Sequence, residues 1–338
     1  MNYIVCEEPG TFLLKEQDIP QPKAGESLLR IRKIGICGTD IHAFGGTQPY
    51  FNYPRVLGHE LAAEYVQGNA AGFNTGDAVS FIPYFNCGSC VACRNGLSNC
   101  CTSIRVFGVH IDGGMAEYLV VPDGYLLHGE GLDFDELALV EPLAIAAHGV
   151  RRAGVREGET VLVMGAGPIG IGLIQFAQQA GAQVIALDVN EHRLDFCKDE
   201  LGVWQTLNPM NTDVMERLAE ITNGDMPTVI IDATGNRNVM NSAFQYLAHG
   251  GRYVLVGLQK GELSFSHPEF HKRESTLMSS RNATREDFLY VIESIKSGKI
   301  NPKKYITHRI AFKDLPSGFD ALLAPENNVI KALIEIND

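Results

Sequence analysis

Three features that would indicate a membrane, exported or nucleic-acid-binding protein are missing from this sequence of 338 residues. No run approaches the roughly 18 apolar residues that a membrane-spanning helix needs. The first residues, MNYIVCEEPG, lack the basic segment and apolar core of an export signal. Lys and Arg number 28 against 40 Asp and Glu, and the net charge of −12 argues against an extended contact with nucleic acid or an anionic membrane. We therefore expect a soluble, cytoplasmic protein.

The composition and the order of segments predict an α/β protein of two domains. Apolar residues make up 45% of the chain and charged residues 20%, an ordinary globular mixture, and the length suits about two domains. The first 145 residues or so contain short β-rich segments such as LLRIRKIGI and AEYLVVP, which suggest a partly closed β-barrel. From GVREGETVLVMGAG towards residue 280, apolar strands alternate with helical stretches, which is typical of βαβ units.

Five of the eight cysteines fall in one stretch, CGSCVACRNGLSNCC, at residues 87 to 101. Four alternatives could explain the cluster: a disulfide knot, a redox site, a metal cage or ordinary loop cysteines. In a reducing cytosol, clustered thiols more often hold metal than form disulfides. Gly88 and Gly96 provide turns that let four thiolates converge on one tetrahedral zinc ion. The four are Cys87, Cys90, Cys93 and Cys101, and Cys100 is the doubtful member. A four-thiolate site leaves no open position, so we expect a structural role.

A glycine-rich turn lies between the first strand and the helix of the segment VLVMGAGPIGIGLIQFAQQAG. Gly165, Gly167 and Gly170 form a G-x-G-x-x-G pattern that includes Pro168 and Ile169. The first two glycines permit a tight turn and a close approach of the backbone to a pyrophosphate, and the third permits close helix packing. The amino terminus of the helix adds positive potential. Between a strand and a helix, the pattern predicts a dinucleotide site.

Asp188 ends the next strand, 23 positions after Gly165, which is near the ~20 expected of an acid that binds a ribose diol. Its alternative role is that of a turn carboxylate. Because a carboxylate would repel a 2′-phosphate, NAD is favoured over NADP. Arg193 is a further candidate for cofactor binding, although its distance along the chain does not assign it to a phosphate.

Three further stretches accompany the cysteine loop and the glycine turn: GICGTDIH (35–42), PRVLGHE (54–60) and EPLAIAAH (141–148). Together these five segments resemble the zinc-dependent medium-chain dehydrogenase family over nearly the whole chain. Within the family, the chain looks like the branch that oxidises polyols and sugar acids, near the sorbitol and threonine dehydrogenases. Acidic residues stand where other alcohol dehydrogenases use a cysteine.

The resemblance implies a particular domain organisation. A GroES-like, partly open β-barrel forms the catalytic domain at residues 1–145 and contains a structural zinc lobe at 86–102. A doubly wound Rossmann domain that binds NAD follows at 146–280, and residues 281–338 return to the catalytic domain.

The resemblance also implies a catalytic zinc site, in addition to the structural one. Cys37 and His59 match zinc ligands, Glu60 matches the adjacent acid that ligates in this branch, and Glu141 matches an acid near the fourth position. Taken singly, these would be a core cysteine, a loop histidine and surface carboxylates. One thiolate, one imidazole and one carboxylate bind zinc while leaving room for water or a substrate oxygen. The choice between Glu60 and Glu141 as the direct ligand stays open.

Thr39 and His42 match the hydroxyl and imidazole groups that pass a proton to solvent in this family. Glu141 is a second candidate for handling that proton. Taken alone, Thr39 would be a turn residue and His42 a residue on a helix surface.

The implied reaction is the NAD-dependent oxidation of a secondary hydroxyl of a sugar acid or polyol to a ketone, with L-galactonate as the favoured substrate. Arg281 matches a substrate arginine of sorbitol dehydrogenases and would bind oxygens in pairs, although a solvated loop cation is an equal alternative. Arg55 and His110 are weaker candidates. Two other functions stay open: an amino-alcohol dehydrogenase of the L-threonine type, and a non-catalytic family member that binds NAD. Family relatives are dimers or tetramers, so a homo-oligomer is expected.

Overall fold

The structure is a computed structural model that describes residues 1–48 and 51–337. The chain forms two units, one of Met1–Ala144 with Thr284–Asp338 and the other of Ile145–Ala283. The sequence predicted boundaries after residues 145 and 280. The second boundary lies at residue 283, because residues 281–283 follow closely on the last strand of the second unit, whereas Thr284 caps a helix of the first.

The first unit is mostly β-structure. Its strands are β1 (Asn2–Glu8), β2 (Thr11–Glu16), β3 (Glu26–Gly35), β4 (Arg55–Val56), β5 (Glu60–Gln67), β6 (Ala78–Phe81), β7 (Tyr84–Phe85), β8 (Arg105–Val106), β9 (Tyr118–Pro122), β10 (Leu126–His128), β17 (Ile306–Ala311) and β18 (Lys331–Glu335). The largest sheet has the order β10-β6-β5-β3-β18-β17, with β9 paired to β3. Among the described residues no ladder joins β10 to β17, so this sheet stays open there, as in the predicted partly open β-barrel.

Two smaller sheets complete the β-structure of this unit, one with the order β2-β1-β4 and one that pairs β7 with β8. The helices of the unit are α1 (Gly38–Phe44), α2 (Val91–Arg94), α3 (Phe134–Ala138), α10 (Arg285–Lys296) and α11 (Leu315–Leu323). The buried rings of Phe12, Phe44 and Phe319 pack together, with centroids 4.7, 4.9 and 5.0 Å apart. Because these rings come from β2, α1 and α11, they hold α1 in place beside the cysteine at its start.

A charged cluster ties the C-terminal strands to the rest of this unit. The guanidinium group of Arg309 on β17 donates to both carboxylate oxygens of Asp135 on α3, at 3.0 and 2.6 Å, and to Glu335 at 2.9 Å. Lys33 on β3 also pairs with Glu335. The hydrogen bond from Arg309 lowers the pKa of Asp135, and the hydrogen bond from Lys33 lowers that of Glu335, with Arg309 adding to the effect.

We expect Arg309→Gln to lower the free energy of unfolding at pH 7 by only about 0.5–1 kcal/mol, because the Arg309 side chain is 42% exposed and solvent screens the pairs. Carboxylates with a lowered pKa stabilise the fold above their ordinary pKa and lose that contribution as the pH falls through the folded value. The difference between wild type and variant should therefore shrink at pH 3. Urea unfolding at pH 7 and pH 3 measures this difference in the free energy of unfolding. A difference at pH 3 as large as that at pH 7 would contradict the electrostatic explanation.

The second unit is built on one parallel sheet. Its strands are β11 (Thr160–Met164), β12 (Gln183–Leu187), β13 (Gln205–Leu207), β14 (Val229–Asp232), β15 (Arg252–Leu255) and β16 (Thr276–Ser279). The order is β13-β12-β11-β14-β15-β16, and all pairs are parallel. The strand order reverses at β11 and β14, which is the position where doubly wound sheets bind their ligands. The predicted Rossmann arrangement is therefore present.

The helices of the second unit are α5 (Pro168–Gln179), α6 (Glu191–Leu201), α7 (Val214–Ile221), α8 (Arg237–Ser242) and α9 (His267–Lys272), and α4 (Val140–Ala153) contains the first boundary between the units. Strands β11, β12 and β14 are almost entirely buried, which explains their continuous apolar sequences. Within the described residues, none of the helices has the length and apolar character to cross a membrane.

Candidate active site

Three potential metal ligands come together in the first unit, at the end of β3 and the start of β5. Cys37 caps α1 two residues after the end of β3, His59 precedes β5, and Glu60 is the first residue of β5. Their donor atoms all lie within 4.8 Å of one another, and His59 and Glu60 are buried. The antiparallel pairing of Gly35 with Glu60 brings the two strand ends side by side.

A buried carboxylate fixes the two loops that carry these ligands. One oxygen of Asp40 accepts a hydrogen bond from the Cys37 backbone N–H at 2.9 Å, and the other accepts from the Gly58 N–H at 3.2 Å. Asp40 is fully buried, and burial raises its pKa. The sequence analysis missed this residue, although it stands inside the stretch GICGTDIH.

The residues present fit a zinc ion. The Nδ1 atom of His59 is buried and has no hydrogen-bond partner among the described residues. Burial alone would lower the pKa of His59, but the surrounding Cys37, Asp40 and Glu141 raise it well above its ordinary value. An unpartnered imidazole nitrogen beside a cysteine and several carboxyl groups is an environment that suits a zinc ion, because thiolate, imidazole and carboxylate are zinc donors.

Glu141, on α4, is buried close to this group. Its Oε1 atom accepts a hydrogen bond from the buried hydroxyl of Tyr84 on β7, and burial raises the pKa of Glu141 to about 7. Its carboxylate influences His59 and Glu60 electrostatically, but it does not belong to the set of described donor atoms within 4.8 Å of one another. Tyr84 is a site residue that the sequence analysis did not predict, because nothing in the local sequence links it to Glu141.

Glu60 has a partner of its own in Lys331 on β18. The two buried side chains form an ion pair, and the Lys331 ammonium group also donates to the Ile36 carbonyl at 2.9 Å. The sequence analysis missed Lys331 as well.

The two residues of the predicted proton relay lie three positions apart on α1, a spacing that places them on one helix face. Thr39 is half-buried and His42 is exposed. The Nδ1 atom of His42 lies 2.9 Å from the hydroxyl of Thr47.

The sulfur atoms of the four predicted cage cysteines lie within 4.8 Å of one another: Cys87, Cys90, Cys93 and Cys101. Backbone N–H groups point at the sulfurs, with Cys87 N donating to Cys101 Sγ at 3.3 Å and Cys90 N to Cys87 Sγ at 3.4 Å. Hydrogen bonds from Ser89, and then from Cys90, lower the pKa of Cys87 to about 5. All eight cysteines are free thiols, and Cys100 is exposed and outside this set of described sulfurs. The lobe can therefore hold a structural zinc ion.

The glycine turn has the expected backbone. Gly165 has a φ of 93°, in the left-handed region that favours glycine, and a Cβ atom on Gly170 would lie 1.7 Å from the Gly165 carbonyl oxygen. Gly167 caps α5, whose first two residues are Pro168 and Ile169. No side chain fits at Gly170, so the turn and the helix approach each other closely.

Two charged side chains lie at the glycine turn. The Asp188 carboxylate accepts hydrogen bonds from Ala166 N at 2.6 Å and Asn190 N at 2.8 Å, which holds it beside the turn. An Nη1 atom of Arg193 lies 3.8 Å from where a Cβ of Gly167 would stand. Arg193 is therefore near the turn in space, which its distance along the chain did not indicate.

The three candidate substrate residues lie in different units. Arg281 is an exposed residue of the second unit. Arg55 and His110 belong to the first, where Arg55 pairs with Asp112 at 3.3 Å and the His110 ring accepts from Val106 N at 3.1 Å.

Two family profiles match the chain, the alcohol dehydrogenase GroES-like domain over residues 23–130 and the zinc-binding dehydrogenase over residues 168–297. The L-galactonate-5-dehydrogenase of Escherichia coli K12 is 45% identical over 336 residues, which cover 99% of this chain and 98% of that protein. The chain belongs to the zinc-dependent medium-chain dehydrogenase family. The family predicted from the five sequence segments is thereby confirmed.

Two other proteins are similar to this dehydrogenase over nearly its whole length. The L-threonine 3-dehydrogenase of Pyrococcus abyssi is 31% identical, with 95% of each chain covered. The structure of rspB from Escherichia coli CFT073, described as a short chain alcohol dehydrogenase complexed with NADH, has a TM-score of 0.92 at 32% identity, with 99% of each chain covered. The predicted GroES-like and Rossmann fold and the zinc-type dehydrogenase class are confirmed.

Proposed function

We propose that this dehydrogenase oxidises a secondary hydroxyl of a sugar acid, L-galactonate in the first place, to a ketone with NAD⁺ as the acceptor. The observation that carries the proposal is the 45% identity, over 99% of the chain, to an L-galactonate-5-dehydrogenase. The clustered donor atoms of Cys37, His59 and Glu60 support it. In the balanced reaction, hydride leaves the carbinol carbon for the nicotinamide and the hydroxyl proton goes to solvent.

In this proposal, Cys37 and His59 hold the catalytic zinc together with Glu60 or Glu141. When bound, zinc supplies a Lewis acid that lowers the pKa of a substrate hydroxyl. The Thr39 hydroxyl accepts the proton and His42 carries it to solvent, with Glu141 as the second candidate acceptor. Tyr84 keeps the Glu141 carboxylate in a fixed orientation through its hydrogen bond. The four cysteines of the lobe hold a second zinc ion that has no open position.

NAD is proposed as the cofactor, with the pyrophosphate at Gly165, Gly167 and Gly170 and the ribose diol at Asp188. The amino terminus of α5 and the guanidinium group of Arg193 supply positive potential for the phosphates. The carboxylate of Asp188 repels a 2′-phosphate, which favours NAD over NADP.

We expect Asp188→Ser to raise the KM for NAD by roughly ten- to a hundredfold, because charge-assisted hydrogen bonds to the ribose are worth about 1.5–3 kcal/mol. The preference of the enzyme for NAD over NADP should become smaller at the same time. Asp188→Asn is the comparison variant: it removes the charge and keeps one side-chain oxygen, which can accept from either the Ala166 or the Asn190 N–H group but not from both, because these groups bond to different oxygens of Asp188. Steady-state kinetics with both cofactors measure the effect, and faster turnover of wild type with NADP at equal concentration would contradict the assignment.

For the substrate, we propose that Arg281, with Arg55 and His110 as weaker candidates, binds carboxylate or hydroxyl oxygens. NADH absorbance with L-galactonate, L-idonate, sorbitol, galactitol and L-threonine tests the choice. L-galactonate and galactitol form a matched pair that differs in a carboxylate. We expect kcat/KM to be at least about tenfold higher for L-galactonate, in line with the loss of one charged hydrogen bond. A higher kcat/KM for L-threonine would favour the amino-alcohol alternative, which the 31% identity to an L-threonine 3-dehydrogenase keeps in view.

We also propose a homo-oligomer, dimer or tetramer, in the cytoplasm. The support for assembly is family resemblance, and the support for the compartment is the cluster of free thiols, which a reducing environment preserves. Light scattering of the purified protein at micromolar concentration measures the mass, and a monomer would contradict the first part.

A further inference from the structure

Lys331 and Glu60 form an ion pair in which each residue is only 1% exposed. Burying two charges costs several kcal/mol for each ion, and an apolar pair of similar size is often as stable. A buried ion pair is therefore weak evidence of a purely stabilising role. Its position next to the candidate zinc ligands suggests a functional one.

The Lys331 ammonium group touches both segments that carry those ligands. It donates to the carbonyl of Ile36, the residue before Cys37, and it pairs with Glu60, the residue after His59. Strand β18, which carries Lys331, lies beside β3, and β3 lies beside β5. The Lys331 side chain thus extends from β18 across the end of β3 to the Glu60 carboxylate on β5.

The strand between them makes room for this contact. Gly35 is the last residue of β3 and pairs in register with Glu60. A Cβ atom on Gly35 would lie 2.0 Å from Glu60 Oε2 and 2.9 Å from Glu60 Cβ. The Glu60 side chain therefore lies over the bare backbone of Gly35. Oε2 is also the oxygen that Lys331 holds.

We propose that Lys331 is a positioning residue that keeps Glu60 a weak, exchangeable zinc ligand, so that the coordination position remains open to the substrate oxygen. The inference rests on the proposed function, since it assumes zinc at Cys37 and His59. Without the ammonium group, the buried carboxylate would have no other ion-pair partner in the part of the chain that the structure describes, and a bound metal would neutralise it. Glu60 would then become a tight ligand and occupy the position that the substrate needs.

Lys331→Met, which keeps an unbranched side chain only one atom shorter and removes its charge, tests the proposal. Zinc release is followed across a chelator titration, with the zinc of the four-cysteine lobe as an internal reference. We expect the zinc ion at Cys37 and His59 to be held at least about tenfold more tightly than in wild type, and kcat to fall at least about tenfold. The visible absorption spectrum of the cobalt-substituted variant should also change, because the ligand set changes. A purely structural lysine would instead leave zinc retention unchanged or weaken it.

Two further variants decide whether the effect passes through Glu60. The double variant Lys331→Met/Glu60→Gln lacks the carboxylate at position 60 that would bind the zinc. If the loss of Lys331 acts through Glu60, zinc retention in the double variant should return to within about threefold of wild type. Lys303→Met, which removes a 43% exposed lysine paired with Asp133 in the same unit, should leave zinc retention and kcat unchanged.

Each other outcome is decisive. If the double variant still retains zinc more tightly than wild type, the role assigned to Glu60 is wrong. If Lys331→Met retains zinc equally well or less tightly than wild type, the whole proposal is wrong. Failure of Lys331→Met to fold in zinc-replete medium would contradict it as well, because zinc should neutralise Glu60 there. If wild type retains only the zinc of the four-cysteine lobe, the proposed function fails, whereas two zinc ions in wild type with no effect at Lys331 refute this inference alone.

Discussion

Replacing Cys37 with serine is expected to abolish turnover while leaving the fold and one of two zinc ions in place. The thiolate is the softest of the three donors whose atoms lie within 4.8 Å of one another. Without it, the Lewis acid that lowers the pKa of the substrate hydroxyl is lost or misplaced, and that contribution is worth several kcal/mol. We expect kcat/KM to fall by on the order of a thousandfold or more.

Three measurements check this expectation. Metal analysis should give one zinc per chain in Cys37→Ser and two in wild type, and the melting temperature should change little. Cys6→Ser, at a buried cysteine outside both donor groups, is the matched control and should keep both zinc ions. Two zinc ions and normal turnover in Cys37→Ser would exclude Cys37 as a ligand.

Cys90→Ser should have the opposite profile, with a large loss of stability and a smaller effect on the chemistry of the protein that remains folded. The four thiols lie in a lobe of short turns and one four-residue helix, where a metal supplies stability that packing cannot. We expect a loss of at least about 3 kcal/mol in the free energy of unfolding, or roughly 6–12 °C in melting temperature for a unit of this size.

Cys100→Ser is the matched control for this prediction. Cys100 stands next to Cys101 in the chain but lies outside the group of four among the described cysteines. Its replacement should leave the zinc content and the melting temperature unchanged. Equal destabilisation by both variants would show that the lobe depends on local packing instead of on a four-thiolate zinc site.

The features whose expected geometry is present in the structure depend on short stretches of sequence. The glycine turn needs a left-handed residue at 165 and no side chain at 170, and both requirements are met within six residues. The cysteine cluster is likewise contained in one loop, so spacing alone predicted the convergence of its four sulfurs. Cys37 and His59 came from the resemblance to a family, and the structure brings their donor atoms together with that of Glu60.

The residues that surround Cys37, His59 and Glu60 could not be predicted in the same way. Glu60 and its partner Lys331 are 271 positions apart, and Tyr84 and Glu141 are 57 apart. Each pair depends on which strands and helices become neighbours and in what register, and a shift of one residue would turn a strand side chain to the opposite face. Asp40 lies close to Cys37 in the chain, yet its bond to Gly58 also requires the folded sheet.

The sequence by itself determined the family, the two kinds of domain, the cysteine cluster and the glycine turn, because each depends on local conformation or on motifs in a fixed order. Only the tertiary structure decided the surroundings of Cys37, His59 and Glu60. The strand order β5-β3-β18 and the lack of a side chain at Gly35 allow the buried Lys331 ammonium group to pair with Glu60. Glu141 on α4 and Tyr84 on β7 are likewise brought together only in the folded chain, where they form a hydrogen bond. Charges that are close in space act strongly in a buried site, whatever their separation along the chain.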